Sequence, residues 1–320
     1  VRARVVVFWI LVGLLLLPAV ALTAARLTEP DSRVGIALVA FTPWALPLYG
    51  VVLLLVLGRL IVRRGWRNAA LPVALVALVG LGLHGWWYAP QVSGANPPAA
   101  DGATPLVVMT ANLRLGEADG IEVVSAATEA DVDLLVLEEV TPAVLADMDR
   151  AGLRDLLPYR VGLPGTMASG TMAFAATPLT DAARLPTSLG SWSFTMGDLR
   201  VQAVHPTYPV DTSGWSHDLD DVVDAVTQGK PDLVVGDFNA TVDHAPMREL
   251  ADRGYRDVGE LANDGWHPTW PTSGSFDVLG LPLAQIDHVL LGDRLAALGM
   301  HTITIPGSDH RGVVATVARK

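Results

Sequence analysis

The 320-residue chain predicts an α/β domain carried behind three membrane-spanning helices. Three observations carry that expectation. The first 90 residues hold three long apolar stretches, the remainder alternates short apolar strands with helical segments, and the charge changes sign between the two parts. Residues 1–100 hold eight Arg against Glu29 and Asp31, which leaves 14 basic and 31 acidic side chains, a formal −17, for residues 101–320.

The apolar stretches run from about Val5 to Ala25, Val34 to Leu57 and Ala70 to Tyr88, and a helix needs about 20 such residues to cross a bilayer. A cleaved signal peptide would account only for the first, and Leu22-Thr23-Ala24 is a poor cleavage site. Buried helices of a soluble core would show a polar face, which these lack. Arg2 and Arg4 precede the first stretch, and Arg59, Arg63, Arg64 and Arg67 lie between the second and third. The positive-inside rule therefore places the amino terminus in the cytoplasm and everything after residue 90 outside it. Trp86, Trp87 and Tyr88 read as an interfacial aromatic anchor. The expected division is a membrane anchor over 1–89, a Pro- and Gly-broken flexible linker over 90–105 and a catalytic domain over 106–320. The membrane bilayer is thus one expected partner. With no Cys in the chain, disulfide frameworks, thiol nucleophiles and Cys-based zinc sites are excluded.

Beyond the linker, strands are predicted at Leu106–Met109, Asp133–Leu137, Met172–Ala175, Val201–Val204, Leu233–Val235, Ile303–Ile305, Ile286–Leu290 and Val313–Val317. Helices are expected over Ala118–Ala130, after the Thr141-Pro142 start signal, and over Ala245–Arg253. A further helix, capped by Ser216, buries Leu219, Val222, Val223 and Val226. No repeat of 20 to 50 residues occurs, which excludes a solenoid.

Four polar clusters end these apolar runs: Thr110-Ala111-Asn112, Glu138-Glu139, Gly236-Asp237-Phe238-Asn239 and Ser308-Asp309-His310. Strand alternation puts Asp237 and Asn239 on one face, able to hold a water or a metal, with Phe238 packed behind and Gly236 leaving room for a substrate. Of the adjacent acids, Glu139 is assigned to the site and Glu138 to a solvated rim, because neighbours on a strand face opposite ways. Asn112 offers an amide oxygen to a hard cation. Asp309 is a metal ligand or an orienting acid, His310 can move protons near neutral pH, and Asp287 can fix its tautomer. His205 supplies a second imidazole for the phosphate. His288, next to Asp287, should point away. Each cluster taken singly is as well explained by a turn or an exposed strand end. Their repetition at one rim is what favours chemistry. No His-Glu-x-x-His occurs, so zinc-protease chemistry is unsupported.

In order and spacing, Val234-Val235-Gly236-Asp237-Phe238-Asn239-Ala240-Thr241, followed by Ile286-Asp287-His288 and Ser308-Asp309-His310, resembles the endonuclease/exonuclease/phosphatase superfamily over about residues 106–318. Ser169-Gly170-Thr171-Met172-Ala173 and Val204-His205-Pro206 resemble two of its internal motifs. The resemblance implies a four-layered α-β-β-α sandwich and a divalent cation, Mg²⁺ or Mn²⁺, held by Asn112, Glu139 and Asp309. It also implies that Asp237 and Asn239 handle the attacking water, that His205 contacts phosphate and that Asp287 pairs with His310. Either His310 or Asp237 is the base. Arg114 stands where many nucleases of the group have an acid, and Glu138 where Gln is common.

The expected substrate is a phosphoester: a nucleic acid, a phospholipid or a small phosphate ester. A formal −17 argues against tight duplex DNA binding. The competing expectation is a catalytically retired binding module on a membrane anchor.

Overall fold

The computed structural model describes residues 2–62, 67–94, 96–274, 277 and 280–320. Arg63 and Arg64, counted above toward orientation, lie outside the described residues. Contacts divide the chain into two units, Val1–Pro90 and Gln91–Lys320.

The first unit comprises α1 (Arg2–Thr28), α2 (Arg33–Ala40), α3 (Ala45–Val62) and α4 (Arg67–Tyr88). Three segments are long and apolar enough to cross a membrane: Ala3–Thr28, Thr42–Ile61 and Ala69–Tyr88. The second begins later than the expected Val34. Ser32 caps α2, whose eight residues end before a 3₁₀ turn at Thr42–Trp44. Pro43 has no amide hydrogen to continue α2 and instead starts a new helical turn. Within the unit, Thr23 Oγ1 donates to the Ala19 carbonyl and lies 2.8 Å from Tyr49 Oη and 3.0 Å from His84 Nε2, which ties α1, α3 and α4 together.

The second unit opens on a short helix, α5 (Pro90–Ser93). Within the segment expected as a flexible linker, 90–105, three bonds reach later residues: Gly265 N donates to Gln91 O, Gly94 N to Asn263 Oδ1 and Ala100 N to Arg319 O. The rest is built from β1 (Leu106–Asn112), α6 (Gly120–Glu129), β2 (Leu134–Glu138), α7 (Pro142–Arg150), α8 (Leu153–Leu156), β3 (Tyr159–Gly162), β4 (Met172–Ala175), β5 (Leu179–Leu185), β6 (Ser191–Met196), β7 (Leu199–Val204), α9 (Thr212–Gly229), β8 (Leu233–Asp237), α10 (Ala245–Asp252), β9 (Arg256–Asp257), α11 (Val258–Ala262), β10 (Asp287–Leu291), β11 (Leu295–Thr304) and β12 (Arg311–Arg319).

Two six-stranded sheets result, ordered β11-β12-β1-β2-β4-β3 and β5-β6-β7-β8-β10-β9. They face each other across Val108, Val136 and Ala315 of the first and Val201, Val235 and Val289 of the second, all buried. The other face of the first sheet, with Met109, Leu135 and Phe174, packs on Val123, Val124, Val144 and Met148 of α6 and α7. Outside the second sheet lies α9, whose Leu219, Val222, Val223 and Val226 are buried as their spacing predicts. Its start differs, because Asp211 rather than Ser216 caps it and accepts from Gly214 N. An Asx cap five residues upstream lets the helix begin before its apolar stripe does. The resulting α-β-β-α sandwich is the four-layered architecture implied by the resemblance.

The inner stripe of each central strand is apolar away from the site and turns polar toward the site end. It runs Val108-Thr110-Asn112, Leu134-Val136-Glu138, Ala203-His205, Val235-Asp237 and, read backwards, Val289-Asp287. Strand alternation, continued to the strand ends, therefore delivers five polar side chains into the gap between the sheets.

Gly236 is one point where this packing leaves no choice. Its φ is 145°, and a Cβ there would lie 2.1 Å from Val204 O and 3.0 Å from Glu138 Oε1. The space expected to admit a substrate is filled by β7 backbone and by the Glu138 carboxyl reaching across from the first sheet. Gly236→Ala is therefore expected to destabilise the second unit by about 2–4 kcal/mol, read as a lowered thermal-unfolding midpoint of the full chain in detergent.

Candidate active site

The site occupies the carboxyl ends of β1, β2, β7 and β8, where ligands bind in open α/β sheets. Antiparallel β10 enters from the opposite direction, and its register sets Asp287 beside Asp237. The loop before β12 brings Asp309 and His310.

Asp237 is the hub. It is 1% exposed; its Oδ2 accepts from Asn112 Nδ2 at 2.9 Å and its Oδ1 from Asn239 N at 2.8 Å. His205 Nε2 stands 3.9 Å and His310 Nε2 4.0 Å from the same Oδ2. Burial and the neighbouring Asp287 push the Asp237 carboxyl up to about 7, against the pull of His310 and the two hydrogen bonds. Asp287 lies 2.9 Å from His310 Nδ1 through Oδ2, while its buried Oδ1 has no hydrogen-bond partner. Burial works against charge on the His310 ring, but Asp287, Asp237 and Asp309 outweigh it and raise its pKa to about 10. The pair thus fixes the ring orientation and leaves Nε2 facing Asp237.

His205 is fully buried, and neither ring nitrogen has a hydrogen-bond partner. Burial, with His310 nearby, lowers its pKa to about 3, so the ring is neutral, with one donor and one acceptor to offer. Asn239 sits in the left-handed region at φ 48° and donates through Nδ2 to Pro206 O. It is beyond the end of β8, so local turn geometry rather than alternation orients it.

The two adjacent glutamates correct the sequence reading. Glu138, assigned to a solvated rim, is fully buried on the inner stripe, opposite Asn112 in the parallel register. Glu139 lies past the strand end with φ 57° and turns back into the site. There its Oε1 accepts from Asn112 Nδ2 at 3.3 Å and its Oε2 from Leu115 N. Both acids therefore reach the site, because the left-handed residue breaks the alternation that would have separated them. Burial raises the Glu139 pKa, with Asp309 adding to the rise and His310 opposing it. Asn112 turns its nitrogen to Asp237 and Glu139, while its oxygen accepts from Arg114 N.

Asp237, Asp287 and His310 each offer a ligand-type atom within 4.8 Å of the others. Glu139 and Asp309 adjoin this cluster through Asn112 and His310. So many buried oxygen donors, with an orphaned Asp287 oxygen among them, have the chemistry of a hard divalent-cation site.

Three supporting residues were not given roles from sequence. Ser308 Oγ donates to Asn112 O at 2.7 Å and accepts from His310 N at 2.9 Å, stapling the end of β1 to the turn that carries Asp309 and His310. Thr110 Oγ1 donates to Glu138 Oε1 at 3.1 Å. Arg114, which stands where an acid is common in the group, pairs with Glu117 and donates to Ser273. The first two were unreadable because their partners lie on strands distant in sequence. His288 points away as expected, bonded to Asp257 and Ala240 O, with Phe238 edge-on behind it.

A sequence profile of the endonuclease/exonuclease/phosphatase family matches residues 109–310. No curated protein sequence matches the chain. Among solved structures, a protein of that family from Bacteroides thetaiotaomicron is similar at TM-score 0.54 and 15% identity, covering 68% of this chain and 99% of that one. D. rerio TDP2 complexed with a single-strand DNA product is similar at 0.51 and 17%, covering 67% and 99%. An AP endonuclease from Archaeoglobus fulgidus is similar at 0.50 and 14%, covering 66% and 98%.

Burial, Asp287 and Asp237 push the Glu138 pKa well above its usual range. A carboxyl whose pKa is raised in the folded chain contributes stability at low pH that is lost as pH rises past its unfolded value. Glu138→Gln, which cannot ionise, is expected to gain stability relative to wild type as pH rises from about 4 to about 7, measured by urea unfolding at both pH values.

Proposed function

Because the chain belongs to the endonuclease/exonuclease/phosphatase family, whose members are metal-dependent phosphoesterases, we propose that its strand-end cluster hydrolyses a phosphoester outside the cytoplasm by in-line attack of water. The observation that carries this reading is the meeting of Asn112, Asp237, Asp287 and His310, drawn from both sheets: Asn112 bonds Asp237, Asp287 bonds His310, and His310 Nε2 stands 4.0 Å from Asp237.

Glu139 and Asp309, with the Asn112 carboxamide, are the residues we assign to the cation, Mg²⁺ or Mn²⁺. When bound, such an ion neutralises charge on the phosphoryl oxygens. The chain's own groups do the rest. His205, neutral and without a protein partner, donates to a phosphoryl oxygen. Asp237, held by Asn112 and the Asn239 amide, orients the attacking water and accepts its proton, while the facing His310, whose raised pKa keeps Nε2 protonated near neutral pH, donates from that nitrogen. Asp287 holds the His310 ring so that Nε2, not Nδ1, faces that water. Orientation rests on the Arg-rich flanks of the first and third apolar helices, which support a cytoplasmic amino terminus and three crossings.

Hydrolysis of bis-p-nitrophenyl phosphate by the full chain in detergent is expected to stop with EDTA and return with Mg²⁺ or Mn²⁺. Asp237→Ala and His310→Ala are each expected to lower kcat by about 10²–10⁴-fold. Full activity in both variants would sink the mechanism. Tight Mn²⁺ binding by calorimetry without turnover of any phosphoester would instead identify a retired binding module. For topology, Tyr159→Cys, exposed and away from the site, becomes the only thiol and is expected to react with a membrane-impermeant maleimide on intact cells; labelling only after lysis would reverse the orientation.

A further inference from the structure

Of the ten large apolar side chains that the second unit exposes among its described residues, six stand on loops bordering the site. Leu115, Leu163, Met167, Tyr208, Val210 and Leu281 stand on loops at the site end of the strands, with Leu163 and Met167 67% and 69% exposed. Each loop is bonded to the site. Leu115 N donates to Glu139, and Gly165 N and Gly170 O bond Val140, the residue after Glu139. Pro206 O, before Tyr208, accepts from Asn239 Nδ2. The segment carrying Leu281 bonds to the turn that carries Asp309 and His310 through Thr272 N and Asp309 O.

These loops are also nearly free of charge. Residues 163–171, 186–190 and 206–210 contain no charged side chain, and 268–286 contain only Asp277. Arg114, the one base of the 113–119 loop, is engaged by Glu117 and Ser273. In a region of formal charge −17, loops with so few basic residues offer a polyanion little counter-charge. An apolar rim around a polar centre instead matches a molecule with a phosphate at one end and hydrocarbon at the other.

The chain supplies such a surface. The third apolar helix, which ends at Tyr88, leads in sequence directly into the second unit, so a bilayer is the amphipathic surface that the chain itself brings with it.

We propose that this rim is an interfacial surface that enters the headgroup region of the bilayer and admits to the site a phosphoester carrying a long alkyl or acyl chain. The substrate class rests on the phosphoesterase reading of the same site; the membrane contact does not.

Two measurements on the full chain test this. The chain has no Cys, so Met167→Cys accepts a single bimane label in phosphatidylcholine nanodiscs. Dibrominated phosphatidylcholine is expected to quench that label at least about twofold more than one at Tyr159→Cys, on the far end of β3 from the site. Equal quenching overturns the membrane contact. So does a Met167→Cys disulfide dimer in its place, which assigns the rim to a second copy. The second measurement compares hexadecyl with methyl p-nitrophenyl phosphate, which share a leaving group. The hexadecyl ester is expected to have kcat/KM about tenfold higher or more, and Leu163→Ser/Met167→Ser to cut that preference at least about fivefold. No preference, a preference untouched by the variant, or faster cleavage of single-stranded DNA overturns the substrate class. Hydrolysis of neither ester with Mg²⁺ or Mn²⁺ defeats the phosphoesterase reading instead, and the quenching then decides the membrane contact on its own.

Discussion

The hydrogen bond from Asn112 to Asp237 joins the two sheets at the point where their shared core stops being apolar. Below it, Val108, Val136, Val235 and Val289 close the gap between the sheets; at and above it, every inward position is polar. The two sheets must pack at a separation set by valines and alanines, so the groups at the strand ends are held as close as core side chains are. Burying that many ionisable groups is unfavourable unless each is bonded or neutralised. The bonds to Asn239 N, Asn112, Ser308 and Thr110 supply part of that compensation, and a bound dication is suited to supply the rest.

The same strand shows how position, not residue type, separates a structural pair from a chemical one. Asp287 and His288 are neighbours on β10 and point to opposite faces. His288 is bonded at both nitrogens, to Asp257 at 2.9 Å and to Ala240 O at 3.0 Å, and is fully enclosed. Asp287 grips His310 at the same 2.9 Å distance, but one of its oxygens is unpartnered and His310 Nε2 faces Asp237 rather than a satisfied acceptor. The first pair rigidifies the outer layer, whereas the second keeps hydrogen-bonding capacity for something the protein does not itself contain.

Charge is distributed to match. The acidic side chains that dominate residues 101–320 do not crowd the mouth, whose loops are close to neutral and carry exposed Leu, Met, Val and Tyr. A polar, buried, acid-rich centre inside an apolar collar is suited by simple solvation to the amphipathic phosphoester proposed above. Two departures from the nuclease pattern lie at this centre: Arg114 is engaged by Glu117 and Ser273, and burial raises the Glu138 pKa.

Much of this was legible in the residues themselves. Apolar run length marks the three candidate spans, and alternation marks β1, β2, β7, β8, β10 and β12. Strand-end polar residues mark Asn112, His205, Asp237, Asp287 and His310, because those signals are local and periodic. The exposed edge strand β5, the long β11 and the Asp211 cap carried no such period. The split of the second apolar stretch at Pro43 hung on one residue inside a continuous hydrophobic run. What only the tertiary structure decided was which of Glu138 and Glu139 lies on the inner stripe, what fills the space at Gly236, and that Ser308 braces Asn112. Each depends on a residue of positive φ or on a contact between strands far apart in sequence, and neither leaves a trace in the order of neighbouring side chains.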